Sequence, residues 1–268
     1  MIFDYYPGCT LSTKAKEMDV FARKSAAALG VELRELDTWQ CCGATYPLGT
    51  DVVAQKLPAV RALKAAAENG RPLVTMCSAC HHVLKRVNHD AATNKDFRDT
   101  VAKYDPELSY DGSAQVLHYI EALRDYVGFE KLREKIVKPL VRVKIGAYYG
   151  CMLLRPSSVM GFDDAENPSI IEDFISAIGA YPIKFAMRNE CCGGYISLAQ
   201  PEKASKMCGD ILKNAAAAGC EILISACPLC SYNINKNLGE QYSALQIVYF
   251  TKILAQALGV QTEVEGDA

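Results

Sequence analysis

Long hydrophobic runs are missing from this 268-residue sequence. Its uninterrupted apolar stretches fall far short of the roughly 20 residues that a membrane helix needs. A charge excess is missing too. Twenty-nine basic residues against 31 acidic ones leave a formal net charge of −2 with no basic stripe, which argues against a nucleic-acid partner. The opening MIFDYYPGC has neither a basic n-region nor an apolar h-region, so no signal peptide is expected and the cytoplasm is the expected compartment. The glycine fingerprint GxGxxG does not occur, so neither flavin nor nicotinamide is expected on this chain. What remains is an ordinary core-forming composition, half hydrophobic and 22% charged. At about 150 residues per domain, it suffices for one large domain or two modest ones.

Cysteine, by contrast, is plentiful: 12 residues against a single tryptophan. That is below the ~8–10% of a disulfide scaffold, and the chain is too long to need staples. In a reducing compartment, clustered cysteines read as metal ligands or redox thiols. Ten of them form two copies of one spacing. Copy one runs Cys9, 31 residues, Cys41-Cys42-Gly43, and then, with 34 residues between Cys42 and the next cysteine, Cys77-x-x-Cys80. Copy two runs Cys151, 39 residues, Cys191-Cys192-Gly193, and then, with 34 residues between Cys192 and the next cysteine, Cys227-x-x-Cys230. The last four cysteines of each copy are offset by a constant 150, and Tyr-Tyr-Pro-Gly-Cys at 5–9 is echoed by Tyr-Tyr-Gly-Cys at 148–151. The chain is a tandem repeat.

Each copy reads as alternating strands and helices. IFDYY (2–6), VELREL (31–36) and PLVTM (72–76) have strand character. Helical patterns cover about 12–29, stopped by Gly30, and 51–69, stopped by Gly70. Copy two follows with strands at 141–149, 181–186 and 221–226 and helices near 169–177 and 201–218. This alternation predicts an α/β fold: two pseudo-repeated, Rossmann-like parallel sheets with right-handed crossovers, in units spanning 1–138 and 139–268. The stretch 90–138 reads as helical. QVLHYIEALR (115–124) resembles QIVYFTKILA (246–255), so each copy is expected to close with a helix. Every cysteine group lies just past the carboxyl end of a predicted strand, the edge along which open α/β sheets bind ligands. The following helix N-termini point at that edge and favour anionic thiolates.

Zinc needs four ligands, as does a 4Fe–4S cube, yet each copy supplies five thiols. Adjacent cysteines diverge along the chain, so both ligate only an extended assembly or one in which a sulfur bridges two metals. Gly43 and Gly193 remove a side chain where backbone and cofactor approach. Softness favours iron–sulfur or zinc over magnesium or calcium. The spacing leaves iron–sulfur, zinc and redox thiols open, with iron–sulfur foremost.

Both copies resemble the CCG domain, and YYPGCTLSTKAKEMD with TMCSACHHVL resembles the family of heterodisulfide reductase B subunits. The resemblance covers almost the whole chain. It implies two noncubane 4Fe–4S clusters, one on Cys9, Cys41, Cys42, Cys77 and Cys80 and one on Cys151, Cys191, Cys192, Cys227 and Cys230. It implies a disulfide substrate, in methanogens the mixed disulfide of coenzymes M and B, split homolytically between the clusters with each sulfur captured by an iron. It also implies electrons delivered by a ferredoxin-like partner, the C subunit of such complexes, itself fed by the flavin-bearing A subunit. His81 and His82, which follow Cys80 directly, and tyrosines near the cysteines are the candidate proton donors. Related CCG proteins of succinate-, lactate- or glycerol-phosphate-oxidising systems offer an alternative, electron transfer to or from a quinone. A zinc-bearing assembly scaffold is a third.

The remaining features have plainer expectations. Cys208 and Cys220 lie outside the repeat and read as small buried hydrophobes. His118, the counterpart of Tyr249, reads as a satisfied histidine, His89 as solvated, and 130–138 as an exposed helix face. Pro7, Pro47 and Pro228, near cysteines, shape turns. Arg155 and Arg188 read as surface charges with an anion-binding alternative. The longer gap of copy two points to an insertion at 155–168, expected as a loop over the second site.

Overall fold

The computed structural model describes residues 1–44 and 53–261. The expected turn at Pro47 and the expected helix start at Asp51 lie outside the described residues. Copy one contains β1 (Ile2–Tyr6), α1 (Gly8–Ser12), α2 (Lys16–Ala28), β2 (Glu32–Glu35), α3 (Leu57–Asn69), β3 (Leu73–Thr75), α4 (Ser78–Thr93), α5 (Lys95–Tyr104), β4 (Val116–His118), α6 (Tyr119–Ala122) and α7 (Phe129–Lys135). Copy two contains β5 (Lys144–Tyr148), α8 (Ser157–Met160), α9 (Ile170–Ala177), β6 (Tyr181–Ile183), α10 (Pro201–Ala217), β7 (Ile222–Ser225), α11 (Pro228–Lys236), β8 (Gln246–Tyr249) and α12 (Phe250–Ala257).

The strands form two four-stranded parallel sheets, ordered β2-β1-β3-β4 and β6-β5-β7-β8. The expected α/β architecture is therefore present twice. The central strands read as apolar runs because helices cover both faces; Phe3, Tyr5 and Tyr6 of β1 are all buried. The chain leaves β1 to one side, for β2, and then returns to the other, for β3. That reversal opens a crevice at the carboxyl ends of β1 and β3, and again at β5 and β7. Cys9 and Cys77 follow β1 and β3, and Cys151 and Cys227 follow β5 and β7. Gly70 caps α3 at φ 65°, the left-handed stop expected of it.

Three details differ from expectation. The helix predicted from residue 12 is two pieces, broken after Ser12 and restarted at Lys16. The stretch 90–138 is not continuously helical, since β4 lies inside it, and the segments expected as closing helices are each a short strand followed by a helix. A three-residue strand carries too little alternation to be read from sequence. Those closing helices also cross over: α12 packs on α2 of copy one, and α6 packs on α9 of copy two. Thr251 Oγ1 donates to Met18 O at 2.9 Å across this boundary. The copies are thereby interlocked through α2 and α9, the first long helix of each.

Candidate functional site

In copy one the Cys9 and Cys41 sulfurs are 3.5 Å apart, as are those of Cys42 and Cys80. Cys41 is electrostatically coupled to Cys42, and Cys80 to Cys77. Cys77 is in turn coupled to Cys227, and Cys227 to Cys230, whose sulfur is 3.3 Å from that of Cys192. Eight sulfurs are thus coupled in one run through both copies, with Cys151 and Cys191 as a further coupled pair. Cys151, Cys191, Cys192, Cys227 and Cys230 line one pocket, together with Tyr149, Met152 and Leu229. Ser78 of copy one completes its wall. None of the twelve cysteines is paired in a disulfide. Among the described residues no three Cys, His, Asp or Glu side chains converge on a single metal ion; the copy-two thiols ring a pocket instead.

Thiols packed this closely cannot all ionise unaided. Two thiolates 3.5 Å apart repel by about 5 kcal/mol at an effective dielectric of about 20. The protons therefore distribute unevenly. Hydrogen bonding with Cys41 and Cys80 holds Cys42 low, and hydrogen bonding with Cys151 holds Cys191 low. Cys41, Cys80, Cys151 and Cys230 are pushed up, each first by its interaction with a neighbouring sulfur. A cationic iron–sulfur core would relieve that repulsion and use every sulfur, which is the sense in which this donor set fits the group.

Local structure explains how the sulfurs are placed. Cys77 and Cys227 are the N-cap residues of α4 and α11, so the helix dipoles favour negative charge there. Gly43 and Gly193 sit at φ 77° and 74°, a backbone state that glycine adopts without strain. A Cβ on Gly193 would stand 3.0 Å from Ala204 Cα, so its close approach is to α10. Tyr6 and Tyr148 are buried and donate to Gln40 O and Glu190 O, the carbonyls just before each Cys-Cys pair, the latter at 2.7 Å. Held by backbone acceptors, and with burial and then the thiols pushing their ionisation up, they are anchors for the Cys-Cys loops. The repeated Tyr at the end of β1 and β5 was the sequence signal for them.

His81 is fully buried, its Nε2 3.0 Å from Glu121 Oε2, and its ring meets His118 and Phe162 edge-on. His82 Nδ1 lies 3.1 Å from Met152 O. Neither is among the residues lining the copy-two pocket. His118 is satisfied, as expected, but at an unexpected place. It is fully buried, and its Nε2 is 3.1 Å from both Met76 O and Ala226 O. His89 is exposed and Cys220 buried, as expected. Cys208 is buried, and its thiol lies 3.2 Å from Cys192 O, which also accepts from Asn233 Nδ2 at 2.6 Å. Copy one has Val83 in place of Asn233, so the repeat held no clue to this support.

The insertion does not lie over the pocket. Its helix α8 packs on α4, and Phe162 is buried against His81, His118 and Tyr149, where removing its ring from water contributes about 2 kcal/mol. Apolar residues in the insertion drew it into the junction. Arg155 bonds to Asn189 O and Glu166, and Arg188 to Asn167, so both guanidinium groups serve this segment.

Burial first, then His81, push His118 down to about 4 from 6.5, against the pull of Glu121. The folded form holds the neutral ring, so below pH 6.5 the unfolded chain binds the proton first. Stability from this group is complete above pH 6.5 and falls as the pH drops toward 4, by on the order of 3 kcal/mol. Denaturant unfolding at stepped pH should show a slope that His118→Gln flattens.

The family model for CCG, a cysteine-rich domain, matches residues 3–85 and 145–235. The chain is similar to the 8-methylmenaquinol:fumarate reductase membrane anchor subunit of Wolinella succinogenes, 29% identical, with 96% of this chain and 92% of that one covered. It is similar to an Archaeoglobus profundus protein described as like the B subunit of heterodisulfide reductase, 26% identical over 97% of this chain and 92% of that one. It is also similar to the B subunit of the ferredoxin:CoB-CoM heterodisulfide reductase of Methanosarcina mazei, 24% identical over 94% of this chain and 87% of that one. Among solved structures, a hypothetical protein from Helicobacter pylori shares the fold, with a TM-score of 0.71 at 12% identity over 97% of this chain and 49% of that one. No helix among the described residues is long and apolar enough to cross a membrane.

Proposed function

This chain belongs to the CCG cysteine-rich domain family, and from that premise we propose that it is the iron–sulfur subunit of a heterodisulfide-reductase-type complex. In this reading Cys9, Cys41, Cys42, Cys77 and Cys80 hold one noncubane 4Fe–4S cluster. Cys151, Cys191, Cys192, Cys227 and Cys230 hold the other. The observation that supports the reading is the meeting of the two copies beside Cys77 and Cys227, where Ser78 donates to Ala226 O at 2.9 Å and the two thiols are electrostatically coupled. When bound, the clusters would supply single-electron chemistry, and two such sites suit a substrate that needs two electrons. A disulfide takes up two electrons and two protons and leaves as two thiols. A ferredoxin-like subunit is the proposed electron source, with a flavin-bearing subunit behind it.

The chain's own residues orient and enclose. Tyr6 and Tyr148 fix the Cys-Cys loops through Gln40 O and Glu190 O. Tyr149, Met152 and Leu229 form an apolar wall against water at the second pentad. His81 and His82 remain the proposed proton donors. Of the two, His82 is the more accessible, while His81 is enclosed against Glu121.

A second reading has a specific support, the likeness to a protein named for a menaquinol:fumarate reductase. Here the same pentads would pass electrons to or from a quinone, with no disulfide involved. Anaerobic purification with partner subunits separates the readings. About eight irons per chain are expected for two clusters. Turnover of a disulfide supports the first reading, and turnover of a quinone analogue alone replaces it with the second. Zinc in place of half the iron would overturn the cluster assignment.

A further inference from the structure

The two pentads meet where Met76-Cys77-Ser78 faces Ala226-Cys227-Pro228. The copies are pseudo-symmetric, yet their hydrogen bonding at this junction is not. Ser78 donates to Ala226 O twice, from N at 3.2 Å and from Oγ at 2.9 Å. The reciprocal bond is impossible, because Pro228 stands where Ser78 does and has no N–H. Met76 O is served instead by the Tyr249 hydroxyl and by His118 Nε2, which also reaches Ala226 O.

The His118 ring has little freedom. Ile120 N donates to Nδ1 at 3.3 Å, which leaves the proton on Nε2. Glu121 Oε2 accepts from His118 N at 2.7 Å, and Phe162 and Phe250 lie against the ring with centroids at 5.9 and 5.5 Å. Two carbonyl oxygens aimed at one point repel, and a single N–H between them is what lets them share it.

We infer that His118 is a positioning residue: by tying the carbonyls before Cys77 and Cys227 to one nitrogen, it sets the separation of the two cysteine pentads. This rests on the proposed loading of both pentads with iron. Ser78 and Tyr249 still join the copies when His118 is replaced, so its loss alters spacing before it alters folding. Carbonyl spacing passes directly to the sulfurs, since each carbonyl belongs to the residue preceding an N-cap cysteine.

The test compares wild type with His118→Leu, which has no donor, and His118→Gln, whose amide N–H takes the place of Nε2. Two signals are read. The first is the magnetic interaction between the two paramagnetic sites by EPR in anaerobically purified holoprotein, with iron per chain measured alongside. The second is the yield of a Cys77–Cys227 disulfide on mild oxidation of the iron-stripped full chain, mapped by mass spectrometry. His118→Leu should keep its iron, show a weakened and broadened interaction, and cross-link about tenfold less, the effect of losing a buried hydrogen bond that holds two groups in register. His118→Gln should restore most of both signals. Wild-type behaviour in the leucine variant overturns the inference, as does a glutamine variant no better than leucine. If the leucine variant fails to fold, His118→Asn, polar but too short to span both carbonyls, must show the same losses. Wild-type protein without iron would refute the proposed function and not the clamp, which the cross-link then decides.

Discussion

Cys42→Ala and Cys192→Ala chains are expected to carry about half the wild-type iron and to lose turnover by at least about a hundredfold. Partners outside the ligand shell commonly cost 10–100-fold when removed, and a direct ligand costs no less. The two positions test different halves of one claim. Cys42 lies mid-run, joined to Cys41 on one side and Cys80 on the other, so its loss interrupts the sulfurs of copy one. Cys192 ends the run, and its backbone is held independently by Asn233 Nδ2 and the Cys208 thiol. Cys192→Ala should therefore remove a proposed ligand while leaving its loop in place, which makes it the cleaner variant. Cys208→Ala is the control and should retain its iron, because its sulfur serves a carbonyl. A two-electron reaction that needs both sites cannot survive the loss of either. Full reduction of a disulfide or a quinone analogue by a chain with one empty pentad would falsify the paired-site scheme.

Much of this arrangement was legible in the residues, for identifiable reasons. A period of 150 between four cysteines exposes the duplication without any structural knowledge. Short buried strands flanked by glycine-stopped helices give a parallel sheet, and that sheet dictates where residues after β1, β3, β5 and β7 must converge. The missing parts are those that depend on how the copies meet. Nothing in QVLHYIEALR distinguishes a helix that packs at home from one that packs on the other copy. The exchange of α6 and α12 is settled by which apolar face finds a complementary partner. His118 illustrates the limit. Its alignment with Tyr249 was visible, but only the juxtaposition of Met76 and Ala226 shows that both residues serve the same carbonyl. The insertion was visible as extra length, while its placement followed from Met160 and Phe162, both of which bury completely.

The glycines before the first cysteine of each copy give the second large effect, and they divide two costs that usually come together. Gly8 and Gly150 both have left-handed backbones, at φ 75° and 65°, so alanine at either position incurs conformational strain of about 1–2 kcal/mol. Beyond that they differ. A Cβ on Gly150 would find its nearest neighbours at 3.5 Å in Tyr148, with Cys230 Sγ at 3.6 Å, ordinary contact distances. A Cβ on Gly8 would stand 2.7 Å from Cys80 Sγ, closer than the two atoms can come. Cys80 is buried, its sulfur 3.5 Å from that of Cys42, so it has little room to yield. Overpacking of this kind adds about 1–3 kcal/mol, which brings Gly8→Ala to about 3 kcal/mol in all. The displaced sulfur should also weaken metal binding in copy one. Gly150→Ala is thus expected to unfold somewhat earlier yet keep its iron, whereas Gly8→Ala should unfold much earlier and lose about half of it. Thermal unfolding and iron analysis of the two variants side by side provide the check. Equal destabilisation with equal iron would mean that Cys80 moves freely and that the tight run of sulfurs in copy one does not constrain its ligands.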